Sequence, residues 1–256
     1  VCLWYRVPQP SRWKLVLAAN AVFCLSIDIG AFFAVALATA VVWQAAQHAQ
    51  PEQPSSRGWQ ALGLAAALLP LLVRKFCGMM GPGRRELYKP FGLAYYSLQL
   101  AGYLLDVWHG RTAPTPSYAR LWCYAGFFLS LTQGPFNRYN TLMPQLEAAP
   151  KTFETQRLVS GLQRSAWGYF KTFAIADRAA IVGSAAFADP ASFDRSQLIF
   201  ATVMYSFQLY ADFSGYTDIV LGMGEILGLH LPENFRQPNM SASVKEILAR
   251  WNISLS

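Results

Sequence analysis

The apolar positions of this chain form runs, separated by short polar or basic breaks. Ile29 to Gln47, Gly58 to Val73, Pro90 to Leu105, Leu121 to Asn137 and Ser196 to Ala211 carry no charged residue. A membrane-spanning helix needs ~20 predominantly apolar residues, with ~17 as a lower bound. Several runs reach that length only with their flanking polar residues. The pattern predicts five to seven membrane-embedded helices in an all-α fold. Trp13 to Ile27 and Ile29 to Gln47 read as two helices with a tight break at Asp28–Gly30. The stretches HAQPEQPSSRG and RTAPTPS read as loops. Gly134–Pro135 breaks any helix at that point. Non-helical backbone at membrane depth is tolerated only inside protein or beside a water-filled cavity, so QGPFNRY is expected to form an internal wall.

Composition sharpens this picture. Of 256 residues, 54% are hydrophobic and 14% charged, against ~25% charged in a soluble domain. A buried all-α soluble fold would have too little charge for its apolar surface. The formal net charge is +7, but the cations sit between apolar runs. That placement fits anchoring to anionic lipid headgroups and argues against nucleic acid. The basic segment RKFCGMMGPGRRELYKP should be cytoplasmic under the positive-inside rule. Strict alternation from a cytoplasmic RVPQPSRWK would put it on the other side. One apolar run is then re-entrant, and the topology stays open. Cys2, Cys24, Cys77 and Cys123 form no CxxC pair, and His48, His109 and His230 stand apart, so no metal site is expected.

Thr155 to Phe187 reads as one long helix. Arg157, Arg164, Lys171 and Arg178 recur every seventh residue. Seven residues is close to two turns, so these cations form a slowly drifting stripe. The stripe is either the snorkelling face of a surface helix or a basic surface for an acidic partner or a phosphorylated acyl donor.

Tyr205 to Leu231 is apolar yet contains Asp212, Asp218 and Glu225. An ionised carboxylate at bilayer depth costs at least ~2.5 kcal/mol, so each acid needs a reason. Tyr205, Gln208, Asp212 and Tyr216 share a helix face. Asp218 falls nearly opposite, and Glu225 follows seven residues later. The acids either pair with Arg or Tyr and hold helices together, or line a wet cavity. Gly215, Gly222, Gly224 and Gly228 are expected bend points in a segment too long for one straight span.

Near the end of the chain, Ser243 and Glu246 form a capping-box pattern. Val244, Ile247, Leu248 and Trp251 then lie on one apolar face. A short amphipathic helix there delivers Arg250 and Asn252 to its end. LPENFRQP before it is a Pro-bounded turn in which Glu233 and Asn234 are expected to cap.

These residues resemble the membrane-bound O-acyltransferase family. QLYADFSGYTDIVLGMGEILGLHLPENFRQPNMSASVKEILARWNISLS carries the resemblance most strongly, and the bacterial branch of alginate O-acetyltransferases and teichoic-acid D-alanyl transferases is nearest. QGPFNRYNTLMPQL, GLQRSAWGYFKTFAIADR, FGLAYYSLQLAGYLLDVWHG and LWYRVPQPSRWK support it in the family's order. The resemblance implies a polytopic ring of helices around a tunnel, with the acyl donor entering from the cytoplasmic side. It implies transfer of an acyl group, with acetyl the expected one, to a hydroxyl of a cell-envelope or exported polysaccharide. The co-substrate would be an acyl-CoA or acyl carrier protein thioester, and no resident cofactor is implied. Partners would be membrane lipid, the polysaccharide, and an acyl carrier protein or a periplasmic acyltransferase. The location would be the plasma (inner) membrane, with several passes.

The family associates two histidines with activity, one in an RWH-type segment and one farther on in a WHG-like segment. Here ARWNISLS places Asn252 at the first. Asn orients a substrate but takes no proton. Residues 1–256 therefore read as a partial domain, expected to be inactive alone. Gln208, Tyr210, Asp212 and Tyr216 are the expected tunnel lining, with Arg250 and Asn252 near the reaction centre. Arg138 either binds an anionic donor group or forms a structural ion pair. Two rival readings remain: a non-catalytic scaffold, which Asn252 favours, and a transporter or flippase using the acids as ion sites.

Overall fold

The computed structural model describes residues 1–27, 29–49, 56–79, 92–148, 150 and 152–255. The Asp28 break, the polar segment 50–55 and the basic segment 80–91 lie outside the described residues. Helix dominates, and no strand occurs among the described residues beyond one isolated antiparallel bridge, Phe235 with Trp251. The chain divides into two compact units, Val1–Thr132 with Phe136–Phe153, and Gln133–Pro135 with Glu154–Ser256.

The first unit contains α1 (Cys2–Arg6), α2 (Arg12–Ile27), α3 (Ile29–Gln47), α4 (Ser56–Met79), α5 (Leu93–Trp108), α6 (Tyr118–Ala125) and α7 (Tyr139–Ala148). Its core forms where α3, α4 and α5 meet. Val42, Ala45, Ala67, Leu100 and Leu104 are sealed from solvent there. Gly63 makes the approach possible: a Cβ on it would lie 2.6 Å from Leu104 Cδ2 and 2.8 Å from Ala45 Cβ. The RTAPTPS loop is fastened to this core through Thr115. Its carbonyl accepts from Trp43 Nε1 at 3.0 Å and Gln47 Nε2 at 2.7 Å, and its N–H donates to the Tyr103 hydroxyl.

Leu121 to Asn137, expected as a span, is helical only to Ala125. Asn20, fully buried on α2, explains the stop. It donates to Cys123 O and accepts from Phe128 N at 3.0 Å, replacing the next helical turn with side-chain hydrogen bonds. Asn137 of the predicted wall is buried, and its Nδ2 donates to Ser130 Oγ.

The second unit is a helical hairpin followed by an extended strap. Its first arm runs through α8 (Thr155–Tyr169), a π-helical stretch (Phe170–Ala176) and α9 (Asp177–Ala188). The return arm is the 32-residue α10 (Arg195–Ile226). Asp194 opens α10 with a reciprocal capping box, its carboxylate accepting from Gln197 N and the Gln197 amide oxygen accepting from Asp194 N. The arms are antiparallel and touch through paired glycines, Gly161 against Gly222 and Gly168 against Gly215. A Cβ on Gly161 would lie 2.5 Å from Gly222 O, and one on Gly168 2.5 Å from Gly215 O. Small residues that admit such an approach are the membrane-helix packing device. Gly215 and Gly222 therefore serve contact, the helix runs on through Gly224, and of the four expected bend points it is Gly228 that ends it. The helix stops at Gly228, in the left-handed region, where Leu229 N donates to Gly224 O and Gly228 N to Glu225 O.

Among the described residues one segment, Ser56–Val73, is long and apolar enough to cross a membrane, and Phe32–Gln47 is a shorter apolar helix.

Candidate functional site

The acids of α10 explain where the second unit is most polar. Asp218 is held between two members of the basic stripe: Arg164 Nε lies 3.2 Å from its Oδ1, and Lys171 Nζ 2.6 Å from its Oδ2. Arg164 also reaches Glu233 Oε2 at 2.7 Å, tying the strap to α8. Glu225 accepts from Ser160 Oγ at 2.5 Å. The stripe thus splits. Arg164 and Lys171 turn inward, Arg157 pairs locally with Glu154, and Arg178 is exposed.

Around the Asp218 cluster lies a cavity of about 440 Å³, within the ~300–1,000 Å³ typical of ligand sites. Helix α8 contributes Arg164 and Lys171. Helix α10 contributes Tyr210, Ser214, Thr217 and Asp218, and the strap contributes Glu233, Phe235, Arg236 and Gln237. Ser214 is 3% exposed, and its hydroxyl has no hydrogen-bond partner among the described residues.

The strap is positioned by α11 (Val244–Arg250) and the turn after it. Phe235 bridges Trp251, and Arg236 N donates to Arg250 O. Phe235 and Trp251 meet edge-on at 5.1 Å, and both pack on Tyr210 and Phe213 of α10. Asn234, fully buried, accepts from Ile253 N at 3.0 Å and from the Ser254 hydroxyl. Asn252 adopts φ 50°, a left-handed conformation that Asn tolerates better than most residues. Its Oδ1 is buried without a partner among the described residues, as is Asn234 Nδ2.

The expected site residues separate into groups. Tyr210 lines the cavity, while Gln208 and Asp212 turn to the facing arm. Gln208 Oε1 lies near Gly183, and Asp212 beside Asp177. Tyr216 lies beside Tyr169. Glu233 lines the cavity and holds Arg164, and Asn234 fastens the turn that carries Asn252. Arg250 is bound to Glu246 at 2.5 Å. In the first unit Arg138 Nη1 lies 3.1 Å from Asp106 Oδ2, an ion pair with a carboxylate that Arg111 also approaches.

Sequence reasoning did not single out Ser214, Thr217, Arg236 or Gln237. Tyr210, Ser214, Thr217 and Asp218 do share a face at helical spacing, which is the signal the sequence carries for them. Among the described residues no group of three His, Cys, Asp or Glu could hold a metal.

No family model matches the chain. Over 273 residues it is 30% identical to the probable alginate O-acetylase AlgI of Azotobacter vinelandii, an alignment covering 99% of this chain and 54% of that protein. Over most of its length the chain is similar to the alginate O-acetylase and teichoic acid D-alanyltransferase branch of the membrane-bound O-acyltransferase family. Within it, a peptidoglycan O-acetyltransferase of Helicobacter pylori is 29% identical over 67% of this chain and 37% of its own length. A teichoic acid D-alanyltransferase of Bacillus subtilis is 25% identical over 87% of this chain and 59% of its own length. The chain spans about half the length of the alginate O-acetylases it matches most fully.

Proposed function

We propose that this chain is part of an integral-membrane O-acyltransferase that moves an acyl group, acetyl by the names of most relatives, onto a hydroxyl of a cell-envelope or exported polysaccharide. The observation that carries this reading is the identity to an alginate O-acetylase across 99% of the chain. Relatives named for alginate, peptidoglycan and teichoic acid support a polymer acceptor. The proposed donor is an acyl-CoA or acyl carrier protein thioester. A multi-pass location in the plasma (inner) membrane is supported by the apolar residues exposed along α10, among them Ile199, Val203, Phe207 and Leu209. A ring of helices around a tunnel, with lipid around it and a carrier protein or periplasmic acyltransferase as partner, belongs to the same proposal.

In such a transfer the acceptor oxygen attacks the thioester carbonyl. A C–O bond forms, the C–S bond breaks, and the hydroxyl proton passes through a base to the departing thiolate. Asn252 cannot be that base. Among the described residues no histidine lines the cavity, and its carboxylates are engaged by cations. The role proposed for Asn252 is to orient an acceptor hydroxyl, and these residues alone are proposed to be inactive.

The test is deletion of the gene in its host, with acetyl esters on the exported polysaccharide measured by NMR. Loss of esters, restored by the wild-type gene and not by Asn252→Ala, is the expected result. Unchanged esters overturn the reading. The observation that position 252 is Asn also supports a scaffold reading, under which Asn252→Ala and Asn252→His both restore esters as well as wild type does.

A further inference from the structure

Three cations, Arg164, Lys171 and Arg236, line the 440 Å³ cavity against two carboxylates, Asp218 and Glu233. The carboxylates are taken up by Arg164 and Lys171. Arg236, exposed at the mouth on the strap, has no ion-pair partner among the described residues. One positive charge is therefore left uncompensated. A second feature points the same way: Ser214 is more than nine-tenths buried, and its hydroxyl finds no partner among the described residues. A buried unsatisfied hydroxyl costs about 1–3 kcal/mol, so its retention beside a cavity calls for a bound group that accepts from it. Thr217 also lines the cavity, its hydroxyl donating to Phe213 O at 2.9 Å, and Tyr210 and Phe235 add apolar ring surface to the wall.

We propose that this cavity is a binding site for a singly charged oxyanion, a carboxylate or phosphodiester, held by Arg236 with Ser214 as a hydroxyl donor. Charge and donors select the class. A neutral ligand would leave Arg236 uncompensated, and a cation would meet it as a like charge. A dianion would exceed the charge available without breaking the pairs on Asp218. The acyltransferase reading offers two sources for the group, the carboxylate of an acidic sugar in the acceptor or a phosphodiester of the donor. The inference rests on that reading only for these candidate sources.

The experiment is calorimetric titration of the full chain in detergent, without turnover. One arm compares a short oligouronate with its carboxyl-reduced neutral form. The other compares the methyl phosphodiester of 4′-phosphopantetheine, a monoanion, against neutral pantetheine. Preference for the charged member in the first arm assigns the site to acceptor, and in the second to donor; either supports the proposal. Arg236→Gln should weaken the preferred ligand about tenfold or more, the worth of one charge-assisted contact, and Arg236→Lys should recover part of it. Ser214→Ala should weaken binding severalfold without lowering thermal stability, since it removes an unpartnered group. Equal binding of charged and neutral members in both arms overturns the proposal, as does binding indifferent to Arg236→Gln. Because no acyl transfer is measured, a protein that binds but transfers nothing overturns only the acyltransferase reading.

Discussion

Lys171 Nζ lies 2.6 Å from Asp218 Oδ2, while the other carboxylate oxygen takes Arg164 at 3.2 Å. Asp218 and Lys171 keep only 15% and 18% of their side-chain surface in contact with solvent. Removing one member of a buried pair leaves uncompensated charge behind. Asp218→Ala, which strands Lys171 and leaves Arg164 with Glu233 alone, is expected to destabilise the hairpin by about 3 kcal/mol. The double variant Asp218→Ala with Lys171→Met should recover part of the loss. Thermal unfolding in detergent, followed by far-UV circular dichroism, measures both. An Asp218→Ala protein as stable as wild type would refute the clamp.

Gly168 and Gly215 set the spacing of the arms. Gly168→Ala would drive a methyl into the Gly215 carbonyl, so the arms must part. The expected cost is about 1–3 kcal/mol. Gly58 on α4 is the control, since nothing lies within 4 Å of a Cβ added there. Gly58→Ala should be neutral or stabilising by up to about 1 kcal/mol. The same melts compare the two.

Asn234 fastens the turn 252–255 to the strap by its carbonyl and its side chain. Asn234→Ala keeps the backbone bond and loses the Ser254 contact. Faster protease cleavage after Trp251 is expected, with the helical hairpin retained. At Asn252 the left-handed backbone makes Asn252→Ala cost about 1–2 kcal/mol, whereas Asn252→Gly should be tolerated. If both variants melt alike, the conformation is not the constraint.

The cap of α10 carries a pH signature. The Ser196 hydroxyl first, and then Gln197 N–H, hold the Asp194 carboxyl below its usual range. A depressed folded value means that the cap's contribution is present above the unfolded pKa, about 3.9, and is lost as pH falls through the folded one. Amide exchange at Gln197 should therefore be unchanged, after correction for intrinsic rates, from pH 7 to about 5 and rise only below about 4. Asp194→Asn, which caps without titrating, should abolish that rise.

Periodicity made the helices legible because burial in lipid or protein imposes it. Ile29–Gln47 begins and ends where its uncharged run does, and Arg195 opens the last long helix one residue before its run. Pairing across distance was less legible. The seven-residue spacing of the cations announced a stripe, but not that Arg164 and Lys171 would converge on Asp218 from a neighbouring helix. Leu121 to Asn137 misled because its stop signal, Asn20, lies about a hundred residues away. Tyr205, Gln208, Asp212 and Tyr216 lie at helical spacing on one continuous helix and so share a face. Its direction depends on where the partner arm lies, which no local pattern encodes. The bridge between Phe235 and Trp251 is likewise a tertiary fact, joining an isolated residue of a Pro-bounded turn to the end of α11.

The wide turns of Phe170–Ala176 have a bearing on how this hairpin can vary. Gly161 and Gly168 stand seven apart on the contact face. Two further intervals of seven would bring Val182 to that face, but the residue against Tyr205 and Gln208 is Gly183. A π-turn absorbs one additional residue, and that residue is the difference. The first arm is thus phased in two blocks around a single unit of slack. Deleting one residue from Phe170–Ala176 would let the arm close into a plain α-helix with Gly183 still against Tyr205 and Gln208. Closing the wide turns at unchanged length would instead swing α9 by about 100° and bring Val182 to that face. The stretch is thus where the arm can lose a residue, whereas a substitution that straightens it rewrites which residues of α9 face α10.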